Sequence, residues 1–175
     1  AGEAPEKTYA INQDPQDVAS LLEENLLPTD RFVNGFTPFL INTVNVLGLF
    51  VTGMGAGARE AGQGKLISAL EASGYKADDV SLVVVSHFHP DHIGGLLEDG
   101  KPAFANARYA AGQKEFDFWT DPARLETPAK TVAQMVEKNV KPFAEKTTFV
   151  DDGKEVVSGI HAVGAYGHTP GHLAF

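Results

Sequence analysis

The chain has 175 residues, 43% hydrophobic and 21% charged, a balance suited to one globular domain over residues 1–175 and not to a disordered segment. Its 14 Lys and Arg against 23 Asp and Glu give a formal charge of −9, which repels phosphate backbones and argues against a nucleic-acid partner. With no cysteine there is no disulfide, thiolate ligand or thiol nucleophile, and no apolar run approaches the ~18 residues a membrane span needs. The start Ala1-Gly2-Glu3 is what removal of an export signal would leave, pointing to a periplasmic or secreted protein; trimming of a recombinant, cytoplasmic chain would leave the same start.

Asp14-Pro15 reads as an N-cap with a first-turn proline, and Val18, Leu21, Leu22 and Leu26 then recur at helical spacing until Pro28. From Phe36 the texture turns to strand, over residues 36–42 and 46–51, with the character of a hairpin. The run Gly53-Met-Gly-Ala-Gly57 lacks the Lys-Ser/Thr of a phosphate loop and any dinucleotide fingerprint, so a mobile loop is expected there. Residues 65–73 predict a short helix with Leu66 and Leu70 on one face and Gly74 as its stop. Leu82-Val-Val-Val85 is a continuous apolar run, the signature of a strand buried on both faces. A short strand near Tyr109 and a helix over residues 113–119 follow. Thr127-Pro128 then opens a helix carrying Val132, Met135, Val136 and Val140 on one face, before strands over residues 147–150 and 160–165. Interleaved strands and helices place the chain among α/β or mixed α+β layers.

Five of the six histidines fall in two short segments, His87-Phe-His-Pro-Asp-His92 and Gly167-His-Thr-Pro-Gly-His172. The first follows the apolar strand, whose period of two sends His87 and His89 to the same side as it runs out. Pro90 bends the chain and lets Asp91 and His92 turn back toward that side. Imidazole and carboxylate donors without thiolate suit Zn²⁺, one or two ions, with Mn²⁺, Fe²⁺ or Co²⁺ as alternatives. In the second segment Thr169-Pro-Gly171 disfavours a helix, so one histidine is expected to ligate and the other to support it by hydrogen bonding. His161 alternates with Ile160 and Ala162 in a strand and reads as solvent-facing, not as a ligand.

Ser86-His-Phe-His-Pro-Asp-His-Ile-Gly-Gly95 resembles the HxHxDH motif of the metallo-β-lactamase superfamily, and Gly167-His-Thr-Pro-Gly-His172 resembles its downstream histidine motif. The resemblance runs from about Phe36 onward, and Ala103-Phe-Ala-Asn-Ala107 with Glu115-Phe-Asp-Phe-Trp119 is similar to the branch of methyl parathion hydrolase and lactonase-like enzymes. It implies an α+β fold, the four-layer αββα sandwich. It also implies a first metal held by His87, His89 and His168, a second to which Asp91 and His92 contribute, and His172 in support. A water or hydroxide would attack a small-molecule ester, lactone, amide, phosphotriester or β-lactam, with Asp91 as the catalytic residue that steers it and passes a proton. Phe116, Phe118 and Trp119 are candidates for an apolar substrate pocket, although aromatics at a helix end pack into a core as readily.

Two departures from the family pattern stand out. The resemblance implies an Asp bridging both metals and a last His beyond the second motif, whereas the sequence reaches Phe175 three residues after His172. About half of the sandwich is therefore expected per chain, with weak or absent activity. Where the family reads Asn-Thr-Gly-Asp and then Asp-Thr-Gly, this chain has Asn42-Thr-Val-Asn45 and Val51-Thr-Gly53, so Val51 stands where a supporting Asp is implied. The rival readings are a non-catalytic zinc clamp and a β-strand interaction module. A half sandwich leaves an open sheet edge and an uncovered apolar face, and two-fold association into a homodimer is the expected way to close both.

Overall fold

The computed structural model describes residues 9–32 and 35–175, which leaves the Ala1-Gly2-Glu3 start outside the described residues. The chain divides into two compact units, residues 1–36 and 37–175. In the first, helix α1 (Pro15–Glu24) begins as its sequence predicts: Gln16 N–H donates to Asp14 Oδ1 at 2.8 Å, and Pro15 fills a position that needs no donor. The helix ends at Asn25, with Leu26 in the left-handed region at φ 56°, and the Tyr9 and Phe32 rings pack 4.6 Å apart.

The second unit opens with an antiparallel hairpin of β1 (Phe39–Asn42) and β2 (Leu47–Phe50), which sets Phe39 opposite Phe50 and Asn42 opposite Leu47. Its turn is built from side chains: Val44 N–H donates to Asn42 Oδ1 at 2.8 Å and Val46 N–H to Thr43 Oγ1 at 3.2 Å. Val44 sits at φ 72° and is 94% exposed, and Val51, after β2, sits at φ 57°. A β-branched residue is strained in this region, where Gly, Asn and Asp are at ease. These are the two positions where the family pattern leads one to expect Gly and Asp. Val44→Asn is therefore expected to raise stability by about 1 kcal/mol, since it relieves the turn without the chain-entropy cost of glycine. An unchanged midpoint in urea would refute this.

Helix α2 (Leu66–Ala72) buries Leu70 and stops at Gly74, at φ 87°. Strand β3 (Leu82–Val85) is buried along its whole length, as the apolar run predicts. The first histidine segment follows and enters the short helix α3 (Pro90–Ile93). A small hairpin of β4 (Leu97–Glu98) and β5 (Lys101–Pro102) leads to β6 (Arg108–Gly112) and directly into α4 (Gln113–Thr120). Helix α5 (Lys130–Asn139) and β7 (Thr147–Val150) come next. Two small hairpins end the chain, β8 (Glu155–Val157) with β9 (Ile160–His161) and β10 (Val163–Gly164) with β11 (Leu173–Ala174). The strand expected over residues 160–165 is thus broken at Ala162, whose N–H donates to Lys154 O at 2.7 Å while its carbonyl accepts Gly153 N–H at 2.8 Å.

The main sheet runs β1-β2-β3-β6-β7, antiparallel at β1–β2 and parallel elsewhere. Alternation along β3 divides the core. Val83 and Val85 pack with Leu70, Ile93, Trp119 and Val136, so all four helices of this unit lie on one face. Leu82 and Val84 point the other way, covered by Val46, Phe50, Val157 and Phe175. Each fully buried aliphatic side chain contributes about 1.5–3 kcal/mol, so this strand anchors the unit and everything its C-terminal end carries. The class is the expected mixed α+β, a central sheet with helices. Among the described residues, no helix is long and apolar enough to cross a membrane.

The glycine run after β2 is not a loose loop. Thr52 donates through both N–H and Oγ1–H to His92 O, at 2.9 and 2.8 Å, and Gly95 N–H donates to Gly53 O at 3.1 Å. A Cβ on Gly94 would collide with Met54 O, and one on Gly55 with Gly94 O, so two backbones pass in direct contact beside the histidine motif.

Candidate metal centre

The end of β3 carries the site. His89 is extended and precedes Pro90, the first residue of α3, so the chain leaves the strand and at once folds back; His92 N–H donates to His89 O at 2.9 Å. Asn139 Nδ2–H, buried on α5, holds the end of this turn through Ile93 O at 3.2 Å. The second histidine segment is tied to the first by its flanks: Leu173 N–H donates to Ser86 O at 3.0 Å, and Ala165 N–H closes the loop on His172 O at 2.9 Å.

Five imidazoles meet here. The His87 ring lies 4.8 Å from that of His89, 4.7 Å from His168, 3.9 Å from His92 and 4.6 Å from His172. One nitrogen from each of His87, His89 and His168 falls within 4.8 Å of the others, and His89 Nδ1 is 3.0 Å from His168 Nε2. Asp91 Oδ2 lies 3.2 Å from His92 Nε2, which sets two further donor atoms side by side. His161 stays apart, exposed on β9 with Nε2 4.0 Å from Glu155 Oε1, as its alternation predicts.

Burial and crowding favour the neutral form of His87, His89, His92 and His172. Burial first, then the neighbouring His92, His172, His89 and His168, push His87 down to about 2. His89 is lowered by burial and then His168, against an opposing pull from Asp91 and Glu115. His92 is lowered chiefly by burial, with Asp91 opposing, and His172 by burial and then His168. Neutral imidazole is the form that donates a lone pair to a metal.

The hydrogens can be assigned from this. A neutral His92 beside a carboxylate places its proton on Nε2, toward Asp91, so its Nδ1 accepts from Ser86 Oγ–H at 3.2 Å. Ser86 Oγ then accepts from His87 Nδ1–H at 3.1 Å. That leaves the lone pair on His87 Nε2, an atom that is buried and has no hydrogen-bond partner. A buried acceptor without a partner costs stability unless something positive meets it. Three convergent imidazole donors with an adjacent carboxylate and no thiolate fit a divalent first-row ion, zinc foremost.

The aromatic residues take separate places. Phe116 packs on Phe149 at 4.6 Å, and Phe118 lies between Trp119, at 5.0 Å, and the Arg124 guanidinium, at 4.8 Å. Trp119 is buried, with its edge 6.0 Å from the His89 ring. A cavity of about 630 Å³ opens on the other side of the histidines, walled by Phe39, Ile41, Phe50 and Phe175 above Ser86, His92 and His172. None of Phe116, Phe118 and Trp119 lines it.

Sequence reasoning passed over two residues. Ser86 stands inside the first motif as a small polar residue, and nothing local marks it as a hinge between two rings. Glu115 is fully buried at the start of α4, and the single local sign is its spacing of four from Trp119, whose Nε1–H donates to it.

A family model described as the metallo-beta-lactamase superfamily matches residues 52–175. No curated protein matches. Among solved structures, AidC, a dizinc quorum-quenching lactonase in complex with the product N-hexanoyl-L-homoserine, is 28% identical with a TM-score of 0.82 over 98% of this chain and 62% of its own. The hydrolase AbOPH of the beta-lactamase superfamily is 26% identical, with a TM-score of 0.79 over 90% of this chain and 57% of its own. A probable metal-dependent hydrolase from Staphylococcus aureus is 26% identical, with a TM-score of 0.65 over 78% and 51%. The chain thus spans less than two thirds of the length of these proteins, a partial domain beside them.

Proposed function

This chain belongs to the metallo-beta-lactamase superfamily, and from that premise we propose that it carries the metal-holding part of a zinc hydrolase acting on a lactone. The observation that carries the reading is the convergence of His87, His89 and His168, with His87 Nε2 buried and unpartnered. These three would hold the first ion, and Asp91 with His92 would contribute to a second. When bound, zinc supplies a Lewis acid that polarises a carbonyl and makes water acidic at neutral pH. Asp91 binds His92 through Oδ2, which leaves Oδ1 to take a proton from the attacking water and return it to the leaving alkoxide. Ser86 Oγ holds His87 in the tautomer that leaves its Nε2 lone pair free, while His92 would give up its Nε2 proton to hold an ion.

The lactone is favoured by two observations. A lactonase is among the structures this chain resembles at 28% identity, and the segments 103–107 and 115–119 look like the lactonase and methyl parathion hydrolase branch. The cavity beside His92 and His172 is walled by apolar side chains that suit an acyl tail, where each methylene buried contributes about 0.8 kcal/mol. The test offers the zinc-loaded protein N-hexanoyl-homoserine lactone, a chromogenic phosphotriester and a β-lactam, and follows acid release. Slow turnover of the lactone that EDTA abolishes and zinc restores is expected, as suits a chain spanning only part of its relatives' length. Turnover of the phosphotriester or β-lactam alone would overturn the lactone, and zinc bound without turnover of any of the three would leave the histidines as a structural clamp.

A further inference from the structure

Glu115 has a feature that a helix-capping or surface acid lacks: it is fully buried, and all its contacts come from donors. Oε1 accepts Phe88 N–H at 2.9 Å and Trp119 Nε1–H at 2.8 Å. Oε2 accepts Thr169 Oγ1–H at 2.7 Å and Gly171 N–H at 3.1 Å. Phe88 is the residue between His87 and His89, while Thr169 and Gly171 lie between His168 and His172. One carboxylate oxygen therefore grips each histidine segment. The fit leaves no slack: a Cβ on Gly171 would collide with the backbone nitrogen of Glu115.

The charge is as informative as the contacts. Among the described residues no Lys, Arg or His forms a salt bridge with Glu115. Burying a carboxylate without a cation is costly even where four donors meet it. Its negative charge is felt at the histidines, favouring the protonated forms of His89 and His172. The protein thus places a carboxylate without a cationic partner behind a cluster of imidazoles whose nitrogens converge.

We propose that Glu115 is a positioning residue of the metal centre, whose carboxylate sets the spacing between the two histidine segments and balances the charge of the bound cation. The proposal rests on the reading of the histidines as a metal site. Glu115→Gln keeps the shape, removes the charge and turns an NH₂ toward donors that need an acceptor. Zinc titration is expected to give a dissociation constant about 10–100-fold higher than the parent's, the usual effect of losing an outer support of a ligand. Cobalt loaded in place of zinc is expected to show shifted d–d absorption bands. Val136→Ala, a cavity in the core under α5, is the control for mere loss of stability and is expected to lower the melting temperature while keeping the parent's zinc affinity and cobalt spectrum. Thr169→Val removes one donor from the second segment and carries the test should Glu115→Gln not fold.

A parent that binds no zinc removes the metal reading, and this proposal with it. A parent that binds zinc, beside a Glu115→Gln protein of equal affinity and unchanged cobalt bands, overturns this proposal alone. So does a Val136→Ala protein that loses zinc affinity to the same degree. If Thr169→Val carries the test, unchanged affinity and bands in that protein overturn it.

Discussion

Replacing His87 and His89 together by alanine is expected to abolish zinc binding, the largest effect of any change in this protein. Two of the three convergent donors disappear, and the third, His168, is exposed and on a separate loop. Structural zinc sites with four ligands bind with ~10–16 kcal/mol, roughly 2.5–4 kcal/mol per ligand. Losing two donors then costs about 5–8 kcal/mol, on the order of 10⁴-fold in affinity or more. Metal content after dialysis against trace zinc is the measurement: the parent should retain zinc and the double variant essentially none. Equal zinc in the two would mean that the ion, if any, is held elsewhere, and the site assignment would fail.

Gly94→Ala is expected to be among the most damaging single methyl groups in the fold. Gly94 lies in ordinary helical backbone at φ −61°, so its need for glycine is not conformational. It comes from contact: a Cβ there meets the Met54 carbonyl, and the same passage is closed from the opposite side at Gly55. Backbone atoms cannot rotate away as a side chain would, so one strand of the passage must move. Overpacking of this kind costs about 2–4 kcal/mol, and at about 2–4 °C per kcal/mol for a chain of this size the metal-free protein should melt roughly 4–16 °C lower. The displaced segment also carries the His92 carbonyl that receives both Thr52 hydrogen bonds, so zinc affinity should fall with it. Gly57→Ala is the matched control, since a Cβ there meets nothing within 4 Å. Scanning calorimetry decides, and melting of the two variants within a degree of each other would rule the contact out as a determinant of stability.

Much of the centre was legible in the sequence because its signals are local. Asp14-Pro15 starts α1, and four consecutive apolar residues make β3, through preferences that act within a few residues. The spacing of His87, His89, Asp91 and His92 after that strand is likewise a short-range matter. Once the strand is fixed, its pleat and Pro90 bring these side chains to one end of the sheet. The α+β class followed from the same periodicities.

Tertiary structure alone decided the rest, at points where residues far apart in the chain compete for the same backbone groups. Gly53-Met-Gly-Ala-Gly57 reads as a mobile loop, yet the partners that hold it, His92 and Gly95, lie some forty residues on. Ala162 sits within a run of strand-forming residues, but hydrogen bonds to Gly153 and Lys154 divide that run between two hairpins. Phe116 became a packing partner of Phe149 because β7 lies beside β6. Glu115 is the sharpest case. By its sequence it is a polar residue in the first turn of a helix, a position that ordinarily faces water. It becomes the buried tie between the two histidine segments only because Thr169 and Gly171, more than fifty residues later, deliver their donors to it. Propensity and periodicity act over a few residues and are written in the sequence as patterns. Which distant donor meets which buried acceptor depends on the path of the folded chain, and no local pattern encodes it.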